Sequence, residues 1–208
     1  MHFKEDYGYL HSVYNDPTSL EYKKMKIVDE HITCGKCLLD VGMGTGQLIE
    51  MEKHKFEKIM GIDIDSDSVK ICKERFMGDK HVEILQGNII DLKEYPIKFD
   101  FIVCLDVLEH ISVEETKTSL KLFDLILNKH GKLIISVPGI FEKIKIRMGK
   151  SPGHKHSHSS YGWAGIIKNS GFKIVSIQTV EFPLLNKEFL SKKAHIFGKC
   201  CVIVAEKF

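Results

Sequence analysis

The chain has 208 residues, of which 43% are hydrophobic and 28% charged, and its formal net charge is +2 at pH 7. That length suits a single globular domain, and the near-neutral balance gives no global case for a nucleic-acid partner. No apolar run approaches the roughly 20 residues that a membrane-spanning helix needs, and Met1 to Asp6 lacks the apolar core of a signal peptide, so the expectation is a cytoplasmic protein with no membrane span.

Asp16-Pro17 interrupts the N-terminal region, which leaves residues 1–16 as a separate short helix. Phe3, Tyr7, Tyr9 and Tyr14 make that stretch aromatic: either an apolar arm packed on the rest of the molecule, or a lid over a ligand site. From Tyr22 to Ile32, apolar residues fall at 22, 25, 28 and 32, the spacing of a helix that buries one face. Residues 1–33 therefore read as a helical cap and 34–208 as the core of one domain.

After that, short apolar runs alternate with longer amphipathic ones. Strands are predicted at 36–41, 58–63, 82–86, 99–104, 132–137, 173–181 and 199–206, and helices at 46–54, 66–77, 113–128 and 159–170. Asp65 or Ser66 caps the second of these helices and Gly78 ends it, while Gly131 closes the helix before the fifth strand. Strands alternating with helices imply an α/β fold. The expected architecture is a Rossmann-like, doubly wound, seven-stranded, mostly parallel sheet. The connection at 182–198 has no clear long helix, which suits a terminal antiparallel strand.

The six cysteines read as free thiols. Cys34 and Cys37 have the spacing of a zinc or redox pair. However, Cys37 opens the first strand and Cys104 lies inside another, and both positions favour a small buried apolar residue. Cys200 and Cys201 are adjacent in a strand, so they point to opposite faces.

The most informative run is Leu38-Leu39-Asp40-Val41-Gly42-Met43-Gly44-Thr45-Gly46. An apolar strand ends at an aspartate, a glycine turn follows, and a helix begins. The dinucleotide fingerprint places glycines at the first, third and sixth positions. Here the sixth position is Gln47, and the third glycine has moved to 46. Asp40 sits where a pyrophosphate would come close, and a carboxylate there repels phosphate and suits a cationic ligand. Asp63 ends the next strand about 20 residues on, where an acid binds ribose hydroxyls.

Asp40-x-Gly42-x-Gly44-x-Gly46 resembles the first motif of the class I S-adenosylmethionine-dependent methyltransferases, and the resemblance runs from about Lys36 to Lys207. It implies S-adenosyl-L-methionine as the cofactor. Asp40 would face the methionine ammonium, and the backbone at Gly42, Gly44 and Gly46 would pass beside the methionine and ribose. Asp63 would take the ribose hydroxyls and Ile64 would lie against adenine. Gln86-Gly87-Asn88-Ile89 resembles the adenine-binding segment, with Asn88 where the family often has aspartate. Leu105-Asp106-Val107-Leu108-Glu109-His110-Ile111 resembles the segment after the fourth strand, so the backbone near Cys104 and Leu105 would flank the methionine. Lys132-Leu-Ile-Ile-Ser136-Val-Pro138 resembles the fifth strand and its exit.

Methyl transfer from a sulfonium releases a neutral sulfur, so the enzyme's tasks are alignment and desolvation. An oxygen or nitrogen acceptor also needs a base. Candidates are His110, with Asp106 and Glu109 beside it, and the loop Gly153-His154-Lys155-His156-Ser157-His158. His154 or His156 is the expected base, with His110 in support. The run Phe141 to Met148 reads as a surface helix or a substrate lid. Lys143, Lys145, Arg147, Lys150 and Lys155 give that region a basic character.

The expected function is methyl transfer to an O, N or C atom of a small molecule, without a metal. Two alternatives stay open. One is a metal-assisted 2′-O-methyltransferase of RNA, because Asp106, Glu109, His110 and a downstream histidine resemble the metal site of the small-RNA enzymes. The other is a binding module that holds S-adenosylmethionine without turnover.

Overall fold

The computed structural model describes residues 12–94, 96–139, 145, 148, 149, 153–180 and 199–208. In chain order the elements are α1 (Leu20–His31), β1 (Gly35–Val41), α2 (Gln47–Glu52), β2 (Phe56–Asp63), α3 (Ser66–Arg75), β3 (Val82–Gln86), β4 (Phe99–Leu105), α4 (Val113–Ile126), β5 (Leu127–Pro138), α5 (Ser160–Asn169), β6 (Phe172–Val180) and β7 (Cys200–Lys207). Short 3-10 turns lie at Lys53–Lys55, Ile89–Glu94 and Leu108–His110.

The seven strands form one sheet in the order β3-β2-β1-β4-β5-β7-β6. Pairings are parallel from β3 through β5, and β7 runs antiparallel between β5 and β6. This is the Rossmann-like, mostly parallel sheet with an antiparallel terminal strand that the alternation of runs implied. Because helices cover both faces, the central strands are buried on both sides and read as continuous apolar runs rather than as alternation.

Alternate residues of each strand feed two cores. Leu39, Ile102, Cys104, Leu133, Ile135 and Cys201 pack with α4 and α5 through Phe123, Trp163 and Ile167. Leu38, Phe101, Val103, Ile134 and Cys200 pack with α1, α2 and α3 through Met25, Val28, Ile49 and Val69. Cys200 and Cys201 thus do point to opposite faces, and all six cysteines are free thiols. Cys104 is fully buried, whereas Cys37 is only half-buried because it sits on the rim where β1 starts.

Side-chain caps set the helix starts, with Ser19, Asp65, Ser112 and Ser159 each accepting from a backbone N–H in the first turn. The main difference from the sequence reading is at α4. The helix ends at Ile126 rather than 128, because Leu127 leaves it to pair with Phe99 at the start of β5. The register then jumps to Phe101 opposite Lys132, so residues 128–131 form a bulge. Gly131 belongs to that bulge and does not close the helix; a Cβ there would lie 2.8 Å from Leu127 Cγ and 2.9 Å from the Asn128 carbonyl.

No helix among the described residues is long and apolar enough to cross a membrane. Of the N-terminal aromatics only Tyr14 is described, and it packs against the core beneath α1. Phe3, Tyr7 and Tyr9, the 182–198 connection, and Lys143, Arg147 and Lys150 lie outside the described residues.

Candidate active site

The chain builds β1, β2 and β3 outward in one direction, then returns to lay β4 on the other side of β1. In an open α/β sheet, the crevice beyond the carboxyl ends of strands at such a reversal is where ligands bind. Here the crevice holds two cavities that share a wall.

The first cavity, about 370 Å³, lies beyond β1, β2 and β4. Of the residues singled out from sequence, Gly42, Asp63, Ile64, Asn88, Ile89, Cys104 and Leu105 line it, and Asp40, Gly44 and Gly46 are not on its wall. Gly42 has φ +70°, and a Cβ there would sit 2.3 Å from Val107 Cγ2, so any larger residue would collide with the neighbouring loop. Gly46, at φ +77°, is the N-cap of α2.

Asp63 holds the turn in shape. Its Oδ2 accepts from Gly44 N at 2.9 Å and its Oδ1 from Asp65 N at 2.9 Å. Each carboxylate oxygen keeps a further lone pair for a ligand hydroxyl. Ile64 is 73% exposed on the cavity wall, an apolar face left open beside Ile89 and Ile90. Asn88 Oδ1 accepts from Ile90 N at 3.3 Å, which caps the 3-10 turn that carries Ile89.

Asp40 is 3% exposed, and its Oδ2 has no hydrogen-bond partner among the described residues. Burial, helped by the nearby Asp63 charge, pushes its carboxyl up to about 8. Asp40 is thus an acid that desolvation keeps neutral at the end of the strand that feeds the glycine turn.

The second cavity, about 420 Å³, is walled by α1 through Leu20, Glu21 and Lys24, by Asp106, Glu109 and His110 after β4, and by Lys145, His154 and Lys199. Asp106 and His110 line both cavities. Asp106 has φ +55°, a left-handed conformation that few non-glycine residues adopt. Its N–H donates to the Ser136 carbonyl at 3.2 Å and to Ser136 Oγ at 3.0 Å. Ser136 Oγ in turn donates to Asp106 Oδ1 at 2.6 Å, and Lys24 Nζ donates to Oδ2.

His110 and His154 meet edge to face with ring centroids 4.7 Å apart. His110 Nδ1 lies 3.2 Å from the Gly153 carbonyl. A carbonyl can only accept, so that nitrogen carries the proton and Nε2 is the basic one in the neutral ring. Lys155 N donates to the Glu109 carbonyl at 2.8 Å, which fastens the histidine loop to the exit of β4.

His156 goes elsewhere. Thr116 Oγ1 gives its proton to the Ser112 carbonyl at 2.9 Å and accepts from His156 Nε2 at 3.3 Å. The ring packs between His158 and Trp163, with centroids 5.2 and 5.1 Å away. Burial holds its pKa below the ordinary histidine value, against hydrogen bonds to the backbone of Leu108 and Ile111. The structure thus brings His110 and His154 together at the shared wall and sets His156 into the packing behind it.

Glu109, His110 and His154 each offer one ligand atom, and these atoms all lie within 4.8 Å of one another. Carboxylate with imidazole suits a divalent transition metal. Asp106 is not part of that group; its oxygens accept from Ser136 and Lys24.

The sequence reading missed Lys24. The signal was available: Lys24 stands one turn before Val28 on the face of α1 that the apolar residues bury. A lysine on such a face implies a buried partner.

The family model for a methyltransferase domain matches residues 39–135. An uncharacterized methyltransferase of Alkaliphilus oremlandii is 29% identical over 100 residues, 47% of this chain and 44% of that protein. A ubiquinone biosynthesis O-methyltransferase of Idiomarina loihiensis is 30% identical over 104 residues, 49% of this chain and 42% of its own. The matches to these curated relatives therefore span less than half of their length. In fold, the N-methyltransferase NodS of Bradyrhizobium japonicum superposes with a TM-score of 0.72 at 14% identity, covering 93% of this chain and 98% of NodS. With its switch-point crevice and its glycine turn, the chain shares the fold of methyltransferases of known structure, and its residues 39–135 match the methyltransferase domain.

Proposed function

We propose that this protein binds S-adenosylmethionine in the first cavity and transfers its methyl group to an oxygen, nitrogen or carbon atom of a small molecule held in the second. The observation that carries the reading is the shared wall: Asp106 and His110 line both cavities, so a donor in one and an acceptor in the other meet across them. Asp40, buried behind Val41 and Gly42 and off the cavity wall, acts on a cationic nucleoside through its charge, and Asp63, Ile64 and Asn88 supply ribose and adenine contacts. NodS, whose fold this chain shares, has also been seen in complex with S-adenosyl-l-homocysteine.

In the transfer, the acceptor lone pair attacks the methyl carbon in line with the C–S bond. That bond breaks and its electron pair stays on sulfur, which leaves neutral. For an O–H or N–H acceptor, the proton goes to an imidazole at the seam, His110 Nε2 or His154. Excluding water and fixing the line of attack are the remaining contributions. The size of the second cavity favours a small acceptor over a polymer.

The test is a calorimetric titration with S-adenosylhomocysteine and with NADH, followed by transfer of a labelled methyl group to a small-molecule extract and to total RNA. Binding of the first ligand alone, with label in the small-molecule fraction, is the expected result. Tight NADH binding overturns the cofactor assignment. Label in RNA overturns the acceptor class, and no label in either fraction leaves a binding module.

One observation favours a second reading. The Glu109-His110-His154 group can hold a divalent ion at the seam, which would polarise an acceptor hydroxyl. Chelator added to protein purified without a histidine tag separates the two: the leading reading expects an undiminished rate, and a rate that falls and returns with added metal selects the second.

A further inference from the structure

Lys24 is a buried cation far from the motifs that define the family. It is 4% exposed on the inner face of α1, and its ammonium donates to Asp106 Oδ2 from 82 residues away in sequence. Taking a lysine out of water is unfavourable unless the charge is met. Burial pushes its pKa down, but the Asp106 carboxylate outweighs this and keeps the group charged. Tyr14, Cys200 and Glu21 stand around the pair.

The place where this cation acts is unusual. Asp106 is one of two described non-glycine residues with positive φ. Such a conformation persists only when the surroundings over-determine it, and it concentrates at functional sites. Here Ser136 holds the backbone N–H and Oδ1, and Lys24 holds Oδ2. The residues on either side, Leu105 and Val107, line the cofactor cavity, and Val107 is the side chain against which Gly42 closes.

We infer that Lys24 is a positioning residue for cofactor binding: it clamps Asp106 in the left-handed turn from the acceptor side, and through Leu105 and Val107 it fixes the wall against which S-adenosylmethionine binds. The N-terminal helix is then part of the cofactor site although none of its residues lines that cavity. This rests on the proposed function, since it assigns the first cavity to that cofactor.

The experiment measures the Kd of S-adenosylhomocysteine and the melting temperature for the full chain and for Lys24→Met, Lys24→Arg, Asp106→Asn and the Lys24→Met/Asp106→Asn double variant. Lys24→Met is expected to raise the Kd about tenfold, the scale of coupling between residues in direct contact. Lys24→Arg, which can still donate to Asp106, brings it back to within about threefold. Should Lys24→Met not fold, Asp106→Asn carries the same test, because its amide oxygen can still accept from Lys24 while the charge that clamps the turn is gone. The double variant is expected to bind no worse than Asp106→Asn alone.

A purely structural pair would lower the melting temperature and leave the Kd unchanged in every variant, and that result overturns the inference. So would losses in the two single variants that simply add in the double. If the unaltered chain binds S-adenosylhomocysteine and Lys24→Met binds it equally well, only this inference fails. A chain that does not bind it at all removes the proposed function as well.

Discussion

The two halves of the crevice are built by different means. Beside the first cavity, short-range bonds join a backbone N–H to a side-chain oxygen: Gly44 N to Asp63 Oδ2 spans 19 residues, Asp65 N to Asp63 Oδ1 two, and Ile90 N to Asn88 Oδ1 two. On the acceptor side, side chains cross the fold: Lys24 to Asp106 over 82 residues, His110 to Gly153 over 43, His156 to Thr116 over 40, Ser136 to Asp106 over 30. Side-chain braces depend on single residues, and the Lys24–Asp106 brace reaches the wall of the other cavity, so the two halves are joined there.

The sharpest way to break this comparison is at the seam. His110→Gln and His154→Ala together are expected to lower the rate of methyl transfer to an oxygen or nitrogen acceptor by about 10²–10⁴-fold, the usual contribution of a positioned base. The Kd for S-adenosylhomocysteine should stay within about twofold, since His154 is off the wall of the first cavity and glutamine still fills the place of His110 there. Rate and binding measured on the same preparation decide it. A parallel loss of cofactor affinity would mean that the two halves are not separable at His110.

Asp40 sharpens the other half. Its carboxyl is pushed up to about 8 in the empty site, so near neutrality it holds a proton that it must release to meet an ammonium. Affinity for S-adenosylhomocysteine is therefore expected to rise between pH 6 and pH 8, by at most about tenfold per pH unit. Asp40→Asn should bind about 10–100-fold more weakly at pH 8, the range for loss of a charge-assisted bond, and should show no such rise.

The same shift has the opposite sign in stability. An acid whose folded pKa lies above its unfolded value of 3.8 favours the fold while protonated. That contribution is complete below the unfolded value and declines as pH climbs towards 8. Melting of the unliganded protein against pH, with Asp40→Asn as the flat reference, measures it. A wild-type melting curve no steeper with pH than that of Asp40→Asn would place the proton elsewhere.

These two constructions also explain how much the sequence reveals. Gly42 and Asp63 stand out in the sequence through glycine spacing and strand ends, and Ile64, Asn88 and Ile89 through the resemblance of their segments; the parallel pairing of β1, β2 and β3 sets all five on one cavity wall. The strand pattern was readable from its apolar runs, down to the faces of Cys200 and Cys201. The end of α4 was not: Gly131 looks like a helix stop, but pairing between Leu127 and Phe99 across the sheet decides where the helix yields. Nor were the roles within the histidine loop. His154 and His156 are equivalent in sequence, two residues apart in one loop. Only the positions of Thr116 and Trp163 turn one into the packing while the other faces His110. Lys24 was legible only as an anomaly, a charge on a buried face whose partner topology supplies.

The smallest effect is expected at Asn88, and it tests whether the local half is as modular as its contacts suggest. The Asn88 N–H donates to Asp91 Oδ2 at 2.9 Å, and its side-chain oxygen accepts from Ile90 N. The amide therefore serves the turn with one lone pair and retains another, plus its NH₂, for a ligand. Asn88→Ala should weaken S-adenosylhomocysteine by about 1 kcal/mol, roughly fivefold, as for a neutral hydrogen bond. Adenosine alone should weaken by the same factor, because the lost contact is to the nucleoside and not to the amino-acid end. Asn88→Asp, which keeps the turn and adds charge to the acceptor, should restore or exceed the original affinity. If Asn88→Ala lowers the melting temperature while both ligands bind as before, Asn88 shapes the loop without touching what binds there, and the adenine contact must come from the backbone at Ile89 instead.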